Sequence, residues 1–206
     1  MDDADKNFFN RIIMGEETWC FAYDPETKLQ SSEWVGETSP WLKKLKFQRS
    51  HIKTMLIIFF NSKVIVHKEF VPRGKTVNAV LYKGVLDRLL KHVQQVRPAA
   101  FCSWDIYLLH DNAPTHKAAS VCQFLNPKYV NPLSPPYSPD LSPPDYFLFP
   151  KEKMKLKGLH FLNVAEIQEA VTDELKKVQK EEFSVFFQKL YNCARACIFA
   201  NWAYFE

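Results

Sequence analysis

Three acidic residues stand where a chain could aim negative charge at a ligand. Asp111 closes the apolar run IYLLHDN (106–112), and Asp145 opens a helical stretch behind a proline-rich loop. Glu16 lies in the strand-like segment RIIMGEETWCFAYD (11–24). Each comes from a different predicted element, and the elements can converge at one edge of a sheet. Three such carboxylates are what two-metal phosphoryl transfer requires, with two Mg²⁺ ions about 3.5–4 Å apart serving the attacking and leaving oxygens. Hard cations favour oxygen ligands, and carboxylates from separate elements leave positions open for water and phosphate. The same acids have plainer uses. An Asp after a strand starts a turn, and an Asp before a helix caps it. Residue types alone leave both readings open.

The elements that must position these acids follow from periodicity. A strand is predicted over 11–24 and a short one over SSEWVG (31–36). TMLIIFF (54–60) and VIVHKEFV (64–71) read as strands joined by the tight link Asn61-Ser62-Lys63. Val77, Val80, Leu81, Val85, Leu89, Leu90 and Val93 recur at helical spacing, which predicts a helix over 77–96. A strand over 106–112 follows, apolar enough to be buried on both faces, then a helix over 116–125 and a strand over 128–133. The stretch SPPYSPDLSPPD (134–145) is a stiff extended loop, because Pro has a fixed φ and no amide donor. Helices are expected over 145–157, 164–179 with Asn163 as N-cap, and 181–200. This order fits a mixed sheet covered by helices. Trp19 and Trp34 are expected to fill core beside that sheet.

Composition bounds the rest. At 206 residues, 47% hydrophobic and 24% charged, the chain suits one sizeable globular domain over 1–206. No apolar run reaches the roughly 20 residues that cross a bilayer, and the acidic start MDDADKNFF is no secretory signal. Five cysteines form no CxxC pair, so reduced structural thiols are expected. Cys193 and Cys197, one helical turn apart, lack a third ligand for zinc and read as packing residues. The positive charge is uneven. Lys43, Lys44, Lys46, Arg49 and Lys53 stand together with no acid among them, in a basic excursion over 37–53. Lys151, Lys153, Lys155 and Lys157 form a second cluster against the single Glu152. Either cluster alone is a solvated face; together they suggest an anionic polymer as partner.

Read as blocks, GEETWCFAYDPETKLQSSEW, LLHDNAPTHKA and PPYSPDLSPPDYFLFP closely resemble the three motif blocks of the mariner transposase catalytic domain. The resemblance runs from about Phe8 to the C-terminal ANWAYFE. It implies an α/β, ribonuclease H-like mixed sheet flanked by helices, with C-terminal helices over 145–200. It implies three acids holding two divalent ions, Mg²⁺ or Mn²⁺, that cut DNA and join it to a target. By position, Asp111 matches the family's second aspartate, Asp145 its third, and Glu16 the place of its first. It further implies that the basic excursion after Asp24 corresponds to the loop that clamps a partner subunit, hence a homodimer, and that the protein's address is the nucleus.

Three departures shape the expectation. Glu16 is one methylene longer than the Asp of the family pattern. The spacer between Asp111 and Asp145 is one residue short, within the proline-rich active-site loop (134–144). The family's N-terminal helix-turn-helix modules have no counterpart here, so recognition of a specific DNA sequence is not expected. What remains is weak, sequence-independent DNA binding through Lys43, Lys44, Lys46, Arg49, Lys151 and Lys153. The leading expectation is a metal-dependent DNA endonuclease or strand transferase, impaired in transposition. The alternative is a non-catalytic nucleic-acid-binding or dimerising module that keeps only the fold. His110 and Asn112 either steady Asp111 or cap the turn after it, and His116 is expected at the start of a helix.

Overall fold

The computed structural model describes residues 8–26, 31–32, 47–96, 106–128, 130–133 and 148–199, the side chains of 150–152, 197 and 198 aside. Strands β1 (Ile12–Phe21), β2 (Lys53–Phe60), β3 (Ile65–Phe70), β4 (Ile106–Leu109) and β5 (Val130–Leu133) form one sheet in the order β3-β2-β1-β4-β5. β1 pairs antiparallel with β2 and parallel with β4, and β5 extends the parallel half. The predicted link between β2 and β3 is a tight turn. Asn61 Oδ1 accepts the backbone N–H groups of Lys63 and Val64, which is how an Asn side chain replaces missing turn hydrogen bonds.

Helices cover both faces. On one side lie α1 (Ala79–Val96) and α2 (Ala119–Leu125); on the other lie α3 (Leu148–Leu156), α4 (Val164–Lys176) and α5 (Lys180–Phe199). The central strand β2 shows why its sequence is apolar throughout. Leu56, Ile58 and Phe60 pack with α3–α5, while Ile57 and Phe59 pack with α1 and α2. Gly15 on β1 answers a close approach: a Cβ there would stand 2.5 Å from the Phe59 ring. Asn163 caps α4 as expected, accepting from Glu166 N–H at 3.0 Å, and the Glu166 carboxylate reaches back to Leu162 N–H at 2.8 Å. Gly158, with φ +82, lets the chain leave α3 and donate its N–H to Asp24 O just beyond β1.

Several expectations need correcting. The helix expected from His116 begins at Ala119, and 114–117 form a turn instead. The strand expected over 106–112 stops at Leu109, the last residue that β5 pairs. Ser31 and Ser32 are not in a strand, and 33–36, with Trp34, lie outside the described residues. Lys53 belongs to β2, paired with Phe21, so the basic excursion ends before it. Trp19 is not core: it is 40% exposed near the end of β1, and the Lys53 ammonium covers its ring at 4.0 Å. Cys20, Cys122 and Cys193 are free thiols, as expected.

Candidate active site

Strand alternation assigns the acids of β1 to opposite faces. Met14 and Cys20 pack toward α3–α5 and Ile13 toward α1 and α2, so Glu16 stands on the first face and Glu17 on the second. The parallel register pairs Ile12 with Tyr107 and Met14 with Leu109. The ladder ends at that last pair, and Glu16 and Asp111 each follow it by two residues, Glu16 within β1 and Asp111 in the turn beyond β4. Neither acid's position is accidental: the first is held in a ladder, and the second leaves the end of the adjoining strand.

Asp111 is fixed by its own side chain. Its Oδ1 accepts Ala113 N–H at 2.9 Å, closing a turn, and lies 2.7 Å from His116 Nδ1 as an ion-pair neighbour. The Asp111 carbonyl is the hydrogen-bond partner of that nitrogen at 3.4 Å. The turn role and the ligand role coexist here, because no described protein donor takes Oδ2 and the side chain remains 51% exposed. His116 is almost fully buried, and its Nε2 reaches Glu17 Oε1 at 3.0 Å. Burial opposes charge on this ring, but the Glu17 hydrogen bond and the charges of Glu17 and Asp111 outweigh it, so the pKa is raised above 6.5. His116 thus ties β1 to the turn after β4. The sequence motifs point to His116 only as a helix start and do not single out Glu17; the signal for Glu17 lay in β1 alternation, which sends adjacent acids to opposite sides.

Two further aromatic groups close the inner wall. Tyr82 of α1 lies 4.1 Å from the His116 ring, centroid to centroid, and His110 lies 4.8 Å from it. Burial, then the neighbouring His116, pushes the His110 pKa down to about 4, so its ring is neutral. The Tyr82 phenol is held well above its ordinary pKa by burial first, then by the charges of Glu17, Asp111 and Glu16. Three acids therefore load this end of the sheet with negative charge, which is the electrostatic setting a divalent cation relieves.

The remaining predicted site residues divide. Asp145 lies outside the described residues, as do Lys43, Lys44 and Lys46. Among the described residues no group of three His, Cys, Asp or Glu is arranged to hold a metal ion. Arg49 is exposed, donates to Asp24 Oδ1 at 2.7 Å and covers the Phe21 ring at 5.1 Å. The Lys153 ammonium stands 5.4 Å from the Phe149 ring, and Lys151 lies in α3. The described ends of the two basic clusters meet at Asp24, whose carboxylate takes Arg49 and whose carbonyl accepts the N–H of Gly158, the residue after Lys157.

The family model described as transposase (partial DDE domain) matches residues 24–101, a segment that begins after Glu16 and ends before Asp111. The chain is 34% identical to the Mariner Mos1 transposase of Drosophila mauritiana over 146 residues, covering 70% of this chain and 41% of that protein. It is 26% identical to the human histone-lysine N-methyltransferase SETMAR over 200 residues, covering 97% of this chain and 29% of that one. The chain thus spans less than half the length of these curated relatives. Among solved structures, a pre-cleavage Mos1 transpososome matches with a TM-score of 0.86 at 28% identity, over 98% of this chain and 59% of that one. The Mos1 catalytic domain matches with a TM-score of 0.76 at 27% identity, over 98% and 88% of the respective chains. Paired-end complexes of Mos1 have been solved with Mn and with Mg. The mixed five-stranded sheet with its helices is the ribonuclease H-like fold of these transposase catalytic domains.

Proposed function

This chain is a mariner transposase catalytic-domain-like protein, and we propose that it is a divalent-metal-dependent DNA endonuclease or strand-transfer domain with turnover reduced by Glu16. What supports the reading is the β1–β4 register: Met14 pairs with Leu109, and Glu16 and Asp111 each lie two residues beyond that pair. Asp145 completes the proposed set. It precedes α3 by a few residues, and Leu148 and Phe149 of α3 pack in the same cluster as Met14, on the face that carries Glu16.

The donor set suits a hard cation: carboxylate oxygens, one of them largely exposed, in a region where negative charge already disfavours ionisation of Tyr82. Glu16, Asp111 and Asp145 would hold Mg²⁺ or Mn²⁺, which supply Lewis-acid activation of the attacking and leaving oxygens at phosphorus. The protein's own part is positioning. The buried His116 holds Asp111 Oδ1 while Glu17 anchors the far side of its ring, and Ala113 N–H fixes the same oxygen. Oδ2 stays available outward. Basic residues of the excursion after Asp24 and of α3 would hold the DNA backbone through charge alone, without reading sequence. Pairing of two copies through that excursion belongs to the same proposal, as does the reading of the chain as one domain, since both helical layers pack on a single sheet.

The test is metal-dependent stability. Mn²⁺ is expected to raise the melting temperature of the chain, and Asp111→Ala to abolish the increase. An equal increase in the mutant removes the carboxylate assignment.

A further inference from the structure

At the free edge of the sheet, β3 borders a groove of about 580 Å³ bounded also by α1, α4 and α5. Its lining includes Lys63, His67, Lys68, His92, Lys176 and Lys180, and among the lining residues there is no carboxylate. Alternation along β3 places His67 beside Phe59 and His92 on the α1 side. Lys68 falls on the other side, where Lys176 and Asp173 are its charged neighbours. The groove therefore wraps the edge strand rather than lying on one face of the sheet.

Two buried nitrogens there lack a hydrogen-bond partner among the described residues. They are His67 Nε2 and Lys68 Nζ, both shielded from water. The carboxylate nearest His67, Glu69, lies 3.5 Å away and is already held by Arg88 through contacts of 2.6 and 2.9 Å. Burial, then the charge of Lys176, holds the Lys68 ammonium below its ordinary pKa. Lysines commonly guard an edge strand against pairing with another chain. That role needs the ammonium in water, and Lys68 does not have it there. A buried donor without an acceptor is unfavourable, and an incoming anion supplies what is missing. Lys63 and Lys180 stand exposed at the rim, in no ion pair among the described residues.

We propose that this groove binds a phosphate-bearing anion, with Lys63, Lys68 and Lys180 as cationic contacts and His67 beside them as a hydrogen-bonding side chain. Phosphate offers several acceptor oxygens and takes lysine as a point charge. The volume is that of a small-ligand site, large enough for more than one phosphate group. The shared chemistry has two sources, free phosphate or the backbone of a nucleic acid. The site stands apart from the proposed carboxylate centre, two strands away from β1, and does not depend on it.

The experiment measures melting temperature and calorimetric binding with inorganic phosphate, using sodium chloride at matched ionic strength as control. Phosphate is expected to stabilise the native chain and the chloride control is not. Lys63→Met with Lys180→Met is expected to weaken phosphate binding by about tenfold or more, the effect of losing two charge-assisted contacts. Lys68→Met is expected to raise the melting temperature without phosphate and to lose the phosphate response, a pairing of effects that an edge guard would not produce. Lys75→Met, an exposed lysine after β3, serves as the charge-matched control and should change nothing. In a second arm, anisotropy with a short labelled duplex separates the sources. Parallel loss of duplex binding in the rim variant assigns the DNA backbone, and unchanged duplex binding assigns free phosphate. The proposal is overturned if phosphate stabilises no form of the chain, or stabilises native and variant chains alike. Should Lys68→Met fail to fold, the rim pair decides.

Discussion

Glu16 and His116 act on the proposed centre from opposite directions, one by reach and the other by restraint. Glu16 carries its carboxylate one methylene farther from β1 than an aspartate would, and a displacement of about 1 Å in a positioned site can lower turnover about 100-fold. Glu16→Asp is therefore expected to raise Mn²⁺-dependent nicking of supercoiled DNA by about tenfold to a hundredfold. Mn²⁺ suits the assay because Mg²⁺ demands stricter octahedral geometry. A revertant that binds metal and stays silent turns attention to the spacer. His116 presents the converse case. It bridges Asp111 at 2.7 Å and Glu17 at 3.0 Å, with its ring 2% exposed. His116→Ala leaves Glu17 without its partner in a largely buried setting, and is expected to destabilise the fold by roughly 3–5 kcal/mol. It should also weaken Mn²⁺ stabilisation while Asp111 itself is intact. A variant whose unfolding midpoint and metal response both match the native chain would show that the bridge has no positioning role.

At the scale of elements, β5 decides how the short spacer can be repaired. Asn131, Pro132 and Leu133 pair with Tyr107, Leu108 and Leu109, so β5 occupies its register up to its last residue. An extra residue within that strand would shift its side chains to the opposite face. An extra residue between Leu133 and Ser134 leaves the ladder intact. Placed there in the Glu16→Asp background, it is expected to raise nicking beyond the single reversion with little change in melting temperature. The same insertion between Pro132 and Leu133 should lower the melting temperature. If the first insertion variant is as inactive as the chain it started from, the endonuclease reading gives way to a binding module. Much of this scale was legible beforehand. The β2–β3 hairpin, the Asn163 cap and the apolar residues at helical spacing over 77–96, where the helix itself begins at Ala79, are local patterns that hydrogen bonding and burial impose on the sequence. Helix and strand ends were less legible. His116 was drawn out of the expected helix by two carboxylates, one of them distant in sequence.

For the whole molecule, the net charge of +4 is concentrated in lysine clusters rather than spread evenly. DNA binding is expected to be weak, indifferent to sequence and strongly salt-dependent. Each phosphate contact contributes about −0.9 to the log–log salt slope on duplex DNA. Replacing Lys43, Lys44 and Lys46 with Ala should therefore flatten the slope by up to about 2.7 and weaken binding to unrelated duplexes alike. Anisotropy titrations across a salt series measure both quantities. A marked preference of the native chain for one DNA end sequence would contradict the charge-only account.

The sheet-and-helix order, the resemblance carried by the HDNA and PPYSPDLSPPDY blocks, and the three candidate acids were all legible in the chain before folding. Each of these resides in local periodicity or in runs of neighbouring residues. Which distant side chains meet was decided by the folded chain alone. His116 links Glu17 of β1 to Asp111 beyond β4, and alternation sends Glu16 to the opposite face of the sheet. Folding also moved Trp19 from the core to the surface and left Lys68 without a hydrogen-bond partner among the described residues at the edge of the sheet. Such facts depend on pairing between segments far apart in the chain. Propensity and hydrophobic pattern act over one or two turns and carry no information about which distant strand will be the neighbour.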